Sequence, residues 1–125
     1  NPIPGLYANY FGQMVVEGRT LDRIFTAGDT SQYRAPGSNA LSAQTAVRKG
    51  KLAARNILRH SSRFPMLEPY LHRDMGYVIN LGPADAVGWL ATERNVVGGL
   101  PAAVIKELVE AQYDLLLAGI DTYII

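Results

Sequence analysis

The pattern of hydrophobic and polar positions predicts two short strands near the start of the chain. Residues 13–17 form one short apolar run, and residues 24–27 form a second that we expect to be more deeply buried. Residues 18–22 lie between them and predict a connecting turn. Residues 1–12 show no clear periodicity and predict a loop or short extended chain. The two strands are close enough in sequence to be neighbours in one sheet.

A helix is predicted over residues 40–58, because apolar side chains recur there at helical spacing. These apolar positions are Ala43, Ala46, Val47, Ala53, Ala54, Ile57 and Leu58. Ser38 and Asn39 are the expected N-caps, since their side chains can accept hydrogen bonds from the first backbone N–H groups. Arg48 and Lys49 lie largely on other faces of this helix, so we expect them to be solvated charges.

The second half of the chain predicts a small sheet followed by a helix. Residues 77–81 and 84–90 flank a Gly-Pro turn and predict a β-hairpin, to which residues 94–98 add a third strand. Residues 101–118 predict an amphipathic helix whose first turn contains a proline. Residues 121–125 predict either a last strand or an end that faces a partner.

The predicted fold class is α+β, with a strand–helix unit first and a small domain of three strands and a helix second. Pro65 and Pro69 follow the first helix and predict a break between the two parts. We place the boundary after residue 60, which gives residues 1–60 and 61–125 as the two domains.

Composition narrows the possible functions. The chain has 125 residues, of which 48% are hydrophobic and 18% charged, so it can build a core. Its net charge of +1 argues against a nucleic-acid partner, which would require a concentrated basic face. The absence of cysteine excludes disulfides and thiolate metal sites. The chain begins at Asn1 without an initiator methionine, which we interpret as the start of a fragment or processed product.

Asp29 is the first candidate ligand-binding residue. It follows the predicted strand 24–27 and is adjacent to Gly28. An ionised carboxylate at a strand end accepts strong hydrogen bonds from sugar hydroxyls, and a neighbouring glycine lets a ligand come close. The alternative is a Gly-Asp turn in which the aspartate bonds its own backbone. The start of the following helix is a second candidate, because its N–H groups favour an anion.

Three segments together resemble the type II NADH dehydrogenases, a branch of the two-dinucleotide-binding-domain flavoproteins. Residues 24–29, Ile-Phe-Thr-Ala-Gly-Asp, are similar to the second FAD motif of that family. Residues 43–50, Ala-Gln-Thr-Ala-Val-Arg-Lys-Gly, resemble its alanine-glutamine motif. Residues 70–76, Tyr-Leu-His-Arg-Asp-Met-Gly, resemble the start of its C-terminal domain. The resemblance extends over nearly the whole chain from Gln13.

The resemblance implies a set of FAD-binding residues. Asp29, with Gly28 beside it, would hold the ribitol chain of FAD. The backbone N–H groups of Ala43 and Gln44 would lie against the flavin ring, and the Gln44 amide is also a candidate contact to a quinone carbonyl. Arg48 stands where the family often has a second glutamine at the quinone site, so it is a further candidate for substrate binding.

The resemblance also implies that the chain is part of a larger enzyme. Residues 1–60 would be the last strand–helix unit of an FAD-binding domain, and residues 61–125 a C-terminal interface or dimerisation domain. The parent would pass electrons from NADH or NADPH through FAD to a quinone or similar acceptor. The rest of the parent chain would be the main partner, and the fragment alone would be inactive and would not retain FAD. A cytoplasmic location is implied, with attachment to the inner face of the cytoplasmic membrane left open.

The alternative function is a free-standing dimerisation or protein-interaction module without catalytic activity. The hairpin, helix and tail after Met75 could bury one another across a two-fold axis as a homodimer. His60 and His72 are isolated in sequence, so we expect no metal site. We expect Trp89 to pack in a core or an interface.

Overall fold

The computed structural model describes residues 5–63 and 66–123, and it confirms the predicted α+β class. Those residues form two helices, a four-stranded sheet and a three-stranded antiparallel sheet. They divide into two compact units, one with the described residues up to His72 and the other from Arg73 onward. The predicted boundary lay after residue 60.

Unit 1 is a mixed four-stranded sheet with one long helix. Its elements are β1 (Leu6–Ala8), β2 (Gln13–Val16), β3 (Arg19–Phe25), β4 (Ser31–Tyr33) and α1 (Ala43–Ser61). The strand order is β3-β2-β1-β4; β1 and β4 run parallel, whereas β2 is antiparallel to both of its neighbours. The sequence pattern missed β4 and left β1 as loop or extended chain, because three-residue strands carry too little periodicity to be recognised.

The turn between β2 and β3 is shorter than predicted. Glu17 and Gly18 have φ values of 48° and 76°, and Val16 pairs with Arg19 directly across them. Two consecutive residues with positive φ form the two-residue turn that matches the twist of a hairpin. The predicted turn over residues 18–22 is therefore wrong, since β3 begins at Arg19.

The expectation of a deeply buried strand at residues 24–27 is also wrong. β3 ends at Phe25, and Ile24 is 49% exposed. The physical reason is that β3 lies at one edge of the sheet, where β2 is its one partner among the described strands. A buried parallel strand would need neighbours on both sides and cover on both faces.

Tyr33 is at the centre of the small core of unit 1. Its ring packs edge-on against Tyr70 at 5.6 Å, and both side chains are buried. Its hydroxyl donates a hydrogen bond to the Thr26 carbonyl oxygen at 2.5 Å and lies against Gly12, where a Cβ would come within 2.6 Å of it. The other buried apolar residues of this cluster are Ala8, Ala35 and Leu52.

Helix α1 begins three residues later than predicted. Ser42 is its N-cap, with φ −140° and its side chain accepting from the Thr45 N–H. The predicted caps bond elsewhere: the Ser38 hydroxyl donates to the Ala35 carbonyl, and Asn39 pairs with the backbone of Tyr33.

Unit 2 has the predicted hairpin, third strand and helix. Its elements are β5 (Gly76–Gly82), β6 (Asp85–Leu90), β7 (Val96–Gly98) and α2 (Leu100–Leu117), with strand order β5-β6-β7. Helix α2 packs on the sheet through small residues, since Ala86 and Ala102 are both fully buried. Residues 121–125 were predicted to form either a last strand or an end that faces a partner. Residues 121–123 form no strand, and residues 124 and 125 lie outside the described chain.

Most of the apolar stripe predicted on α2 is exposed to solvent within the described chain. Val104, Leu108 and Val109 are 50%, 60% and 46% exposed, and only Ala102 of this helix is buried. The outer face of the sheet is apolar as well, with Tyr77 paired across to Trp89 and Ile79 paired to Val87. Unit 2 thus carries two open apolar surfaces.

Candidate functional site

The Gly28–Asp29 turn connects the end of β3 to β4. The Gly28 carbonyl accepts from the backbone N–H of Ser31 at 3.2 Å and from its hydroxyl at 2.6 Å. The Thr30 hydroxyl donates to the Ala27 carbonyl at 3.3 Å. Within the described chain, Thr30 and Ser31 therefore hold this turn, and the exposed Asp29 carboxylate does not cap its own backbone.

Gly28 leaves open space beside this carboxylate. Its φ is 72°, a left-handed conformation that other residues adopt only with strain, and a Cβ built there would have no atom within 4 Å. The glycine is therefore required by the backbone conformation, and the space next to it can admit a ligand.

Lys49 is buried, although the sequence predicted a solvated charge. It is 2% exposed, and its ammonium group donates to the Ser31 carbonyl oxygen at 2.8 Å. The same group lies 4.9 Å from the centre of the Tyr33 ring and 3.5 Å from the Asn39 amide oxygen. Burial lowers the pKa of Lys49, and the nearby Asp29 carboxylate opposes that shift.

Asn39 closes the free edge of β4. Its amide oxygen accepts from the Tyr33 N–H at 2.9 Å, and its amide nitrogen donates to the Tyr33 carbonyl at 3.0 Å. The side chain thus takes the place of a neighbouring strand at this residue. Because Asn39 also contacts the Lys49 ammonium, the loop before α1 is joined to both β4 and the helix.

The helix start predicted to bind an anion lies at the first turn of α1. Ala43 and Gln44 are its first two residues, and the first intrahelical bond runs from the Ala46 N–H to the Ser42 carbonyl at 2.9 Å. No acidic side chain occupies this first turn. The positive end of the helix dipole is therefore not countered by an acid within its own first turn.

Lys49 links the predicted acidic turn to this helix. It lies within about two turns of Ala43, and side chains on a helix point back toward its N-terminus. Its ammonium group bonds the Ser31 carbonyl, two residues after Asp29, and interacts with Asp29 itself. A carboxylate acceptor and the backbone donors of a helix start therefore lie on one connected part of unit 1.

Sequence reasoning missed most of the inner face of α1, where only Ala53 was among the predicted apolar positions. That face is formed by Thr45, Lys49, Leu52, Ala53 and Asn56. Their spacing is helical, so the signal was present, but Lys49 was taken as a solvated charge. Ile57 and Leu58, predicted to be part of the apolar stripe, are instead 48% and 66% exposed.

The remaining sequence candidates have structural contacts. His60 packs edge-on against Phe25 at 6.3 Å, and His72 stacks on Tyr70 at 6.4 Å. Trp89 packs edge-on against Tyr77 at 5.8 Å. Arg48 lies partly buried on α1. Within residues 5–63 and 66–123, no group of three His, Asp or Glu side chains is placed to hold a metal.

Comparisons with known proteins give no family. A scan of the sequence against models of protein families finds no match, and a search of curated proteins finds none of significant similarity. Among the helices of the described residues, none is both long and apolar enough to cross a membrane.

Proposed function

We propose that this chain is the C-terminal part of an FAD-dependent NAD(P)H dehydrogenase similar to the type II NADH dehydrogenases. The observation that carries the proposal is the open acidic turn. Asp29 is exposed beside the unfilled space at Gly28, and the turn is held by other residues. The carboxylate is thus available to accept hydrogen bonds from a ligand's hydroxyl groups.

In this proposal the residues of unit 1 hold and orient the cofactor. Asp29 accepts hydrogen bonds from the ribitol hydroxyls, and the first N–H groups of α1, at Ala43 and Gln44, favour negative charge on the flavin ring. Bound FAD would supply the electron transfer from NAD(P)H to a quinone or similar acceptor, while the protein supplies orientation and electrostatics. The parent is expected in the cytoplasm, free or at the inner face of its membrane.

The exposed apolar residues of unit 1 support the proposal that this unit is part of a larger domain. Ile24 on the edge strand β3 is 49% exposed, and Ile57 and Leu58 on α1 are similarly open. Meanwhile α1 turns the polar side chains of Lys49 and Asn56 inward, where both are buried. Apolar residues on the outside of a helix and an edge strand are expected where further chain packs against them.

The test uses the longer polypeptide of the parent gene. Its upstream residues should contain two glycine-rich dinucleotide fingerprints, and the purified protein should be yellow with one FAD per chain. Asp29→Ala should weaken FAD retention about tenfold or more, whereas Asp22→Ala, an exposed acid in β3, should not. The 125-residue chain alone should be colourless. A chain that binds stoichiometric FAD by itself, or an Asp29→Ala protein with normal FAD content, would contradict the proposal.

A second candidate function is a dimerisation or interaction module. It is favoured by the open outer face of the sheet in unit 2, where Tyr77, Ile79 and Val96 are 55%, 53% and 66% exposed. Light scattering of the chain and of an Ile79→Glu/Val96→Glu variant tests it. A dimer that the double substitution converts to a monomer supports the module, and a monomeric starting protein rules out the dimerisation function. Deleting residues 122–125 provides a comparison for the role of the tail.

A further inference from the structure

The outer side of α2 carries a row of apolar side chains at the spacing of a coiled coil. Val104, Leu108, Ala111 and Leu115 follow one another at intervals of four, three and four residues. On a helix of 3.6 residues per turn, these positions fall within an arc of about 60°. They alternate as the d and a positions of a heptad, which are the positions that contact a partner helix. These four residues form the α2 seam.

The α2 seam is open to solvent within the described chain. Val104, Leu108 and Leu115 are 50%, 60% and 40% exposed, and Ala111 is exposed as well. Ala102, which is buried against the sheet, lies about 150° around the helix from the middle of the seam. Single exposed leucines are ordinary on a protein surface, whereas a continuous apolar row indicates an interaction surface.

Acidic side chains flank the α2 seam on one side. Glu107 and Asp114 are seven residues apart, and both occupy the g position of the heptad, next to the seam. Both are exposed, and neither forms an ion pair within the described residues. Unit 2 as a whole has three Lys and Arg but seven Asp and Glu, which adds to the negative potential of this side.

These charges discriminate between the possible occupants of the seam. A second copy of α2 would bring no basic residue to Glu107 and Asp114, because its e positions are Ile105 and Gln112 and its g positions are themselves acidic. An anionic lipid surface would be repelled by the same carboxylates. A helix with Lys or Arg beside an apolar row would instead form interhelical ion pairs with them.

We propose that the α2 seam binds a basic amphipathic helix of a partner protein. The apolar row of the partner packs on Val104, Leu108 and Leu115, and its Lys or Arg side chains pair with Glu107 and Asp114. The seam lies on α2, whereas the dimerisation candidate uses the outer face of the sheet. The inference therefore requires neither that candidate nor the FAD proposal.

The experiment titrates the isotope-labelled 125-residue chain with a synthetic helical peptide of three heptads, which has leucine at a and d and lysine at e and g. This lysine peptide should shift the amide NMR signals of Leu108, Ala111 and Leu115 and half-saturate them below about 1 mM. A glutamate peptide with the same leucines, and a lysine peptide of the same composition in scrambled order, should each bind at least about fivefold more weakly.

Two double substitutions on α2 test whether the seam is the binding surface. Leu108→Gln/Leu115→Gln removes its large apolar side chains and should weaken binding of the lysine peptide about tenfold or more. Tyr113→Gln/Leu117→Gln changes exposed apolar residues outside the seam and should leave binding unchanged. The helical content of each variant is measured by far-UV circular dichroism and should be retained, since all four positions are exposed.

Charge reversal tests the acidic flank. Glu107→Lys/Asp114→Lys should reverse the preference, so that the glutamate peptide binds more tightly than the lysine peptide. Asp85→Lys/Glu93→Lys makes the same change in net charge at exposed positions outside α2 and should keep the preference for the lysine peptide.

Several results would overturn the proposal. They are equal binding of the lysine and glutamate peptides, an unchanged preference in Glu107→Lys/Asp114→Lys, and full binding by Leu108→Gln/Leu115→Gln. A dimer that Leu108→Gln/Leu115→Gln dissociates would make a second copy the occupant instead. Shifts of the seam signals by phosphatidylglycerol vesicles would make the occupant a membrane surface.

Discussion

The ammonium group of Lys49 donates a hydrogen bond to the Ser31 carbonyl oxygen at 2.8 Å, in a position that is almost closed to solvent. This bond joins the middle of α1 to the first residue of β4, directly after the acidic turn. A charge buried in this way is costly unless it is paired or hydrogen-bonded. Lys49 has the Ser31 carbonyl, the Tyr33 ring and the nearby Asp29 carboxylate as its partners.

Lys49 should make the stability of unit 1 rise with pH on the alkaline side. Burial lowers the pKa of Lys49 from its usual value of 10.5, so the unfolded chain binds more protons there between the lowered value and 10.5. The free energy of unfolding then increases with pH through that window. Urea unfolding from pH 7 to pH 10 should show this increase in the unsubstituted chain. The increase should be lost in Lys49→Met. Lys51→Met, on the same helix but less buried, should keep it.

Tyr33 should produce the opposite trend at still higher pH. Burial, with a smaller effect from Tyr70, raises the pKa of Tyr33, whereas an unfolded tyrosine ionises near pH 10. Above about pH 10 the unfolded chain loses a proton that the folded chain keeps, so stability falls. Tyr33→Phe should make that fall shallower.

The Tyr33→Phe substitution should also reduce the free energy of unfolding at neutral pH. It removes the bond to the Thr26 carbonyl and should cost about 1 kcal/mol. Tyr7→Phe, at an exposed site, is the control. It should change neither the steepness of the alkaline fall nor the stability at neutral pH. An alkaline fall of unchanged steepness in Tyr33→Phe would show that another group is responsible.

Asn56 should contribute strongly to the stability of unit 1. Its side chain makes three hydrogen bonds: to the Phe11 carbonyl at 2.9 Å and to the carbonyl and N–H of Glu68. Asn56→Ala leaves these backbone groups without that partner and should lower the free energy of unfolding by about 2–4 kcal/mol. Amide exchange at Glu68 should become faster.

Glu68→Gln tests the ion pairs on their own. It weakens the partly exposed pairs to Arg55 and Arg59 and should cost only about 0–1 kcal/mol. If Glu68→Gln were the more damaging change, the ion pairs rather than Asn56 would hold this segment.

Gly88 should be essential for the sheet of unit 2. A Cβ there would lie 2.0 Å from the Tyr77 carbonyl oxygen and 2.7 Å from the Val78 Cα, both backbone atoms that cannot move aside cheaply. Gly88→Ala should cost about 3 kcal/mol or more, measured by the fluorescence of Trp89, the single tryptophan. At Gly98 the nearest atom to a Cβ is 3.9 Å away, so Gly98→Ala should cost less than about 1 kcal/mol. Equal effects of the two substitutions would contradict the steric argument.

The sequence predicted helices and strands best where the pattern of side chains extends over a long stretch of chain. The hairpin and helix of unit 2 were found because an alternating pattern, a Gly-Pro turn and a proline in the first helical turn lie within one stretch of chain. The ion pair between Lys106 and Glu110 on α2 likewise follows from their local i, i+4 spacing. The strand β4 was missed, since residues 31–33 are too short to show a period.

The sequence by itself determined the α+β class and the helix and strand order of unit 2. These follow from local patterns of side chains. Only the tertiary structure decided that Lys49 and Asn56 face inward, that Ile24 is exposed, and that Ser42 caps α1. The reason is that burial depends on which backbone groups lie opposite a side chain. The carbonyls of Ser31 and Phe11, which Lys49 and Asn56 bond, are distant in sequence and are brought to the helix only by the fold.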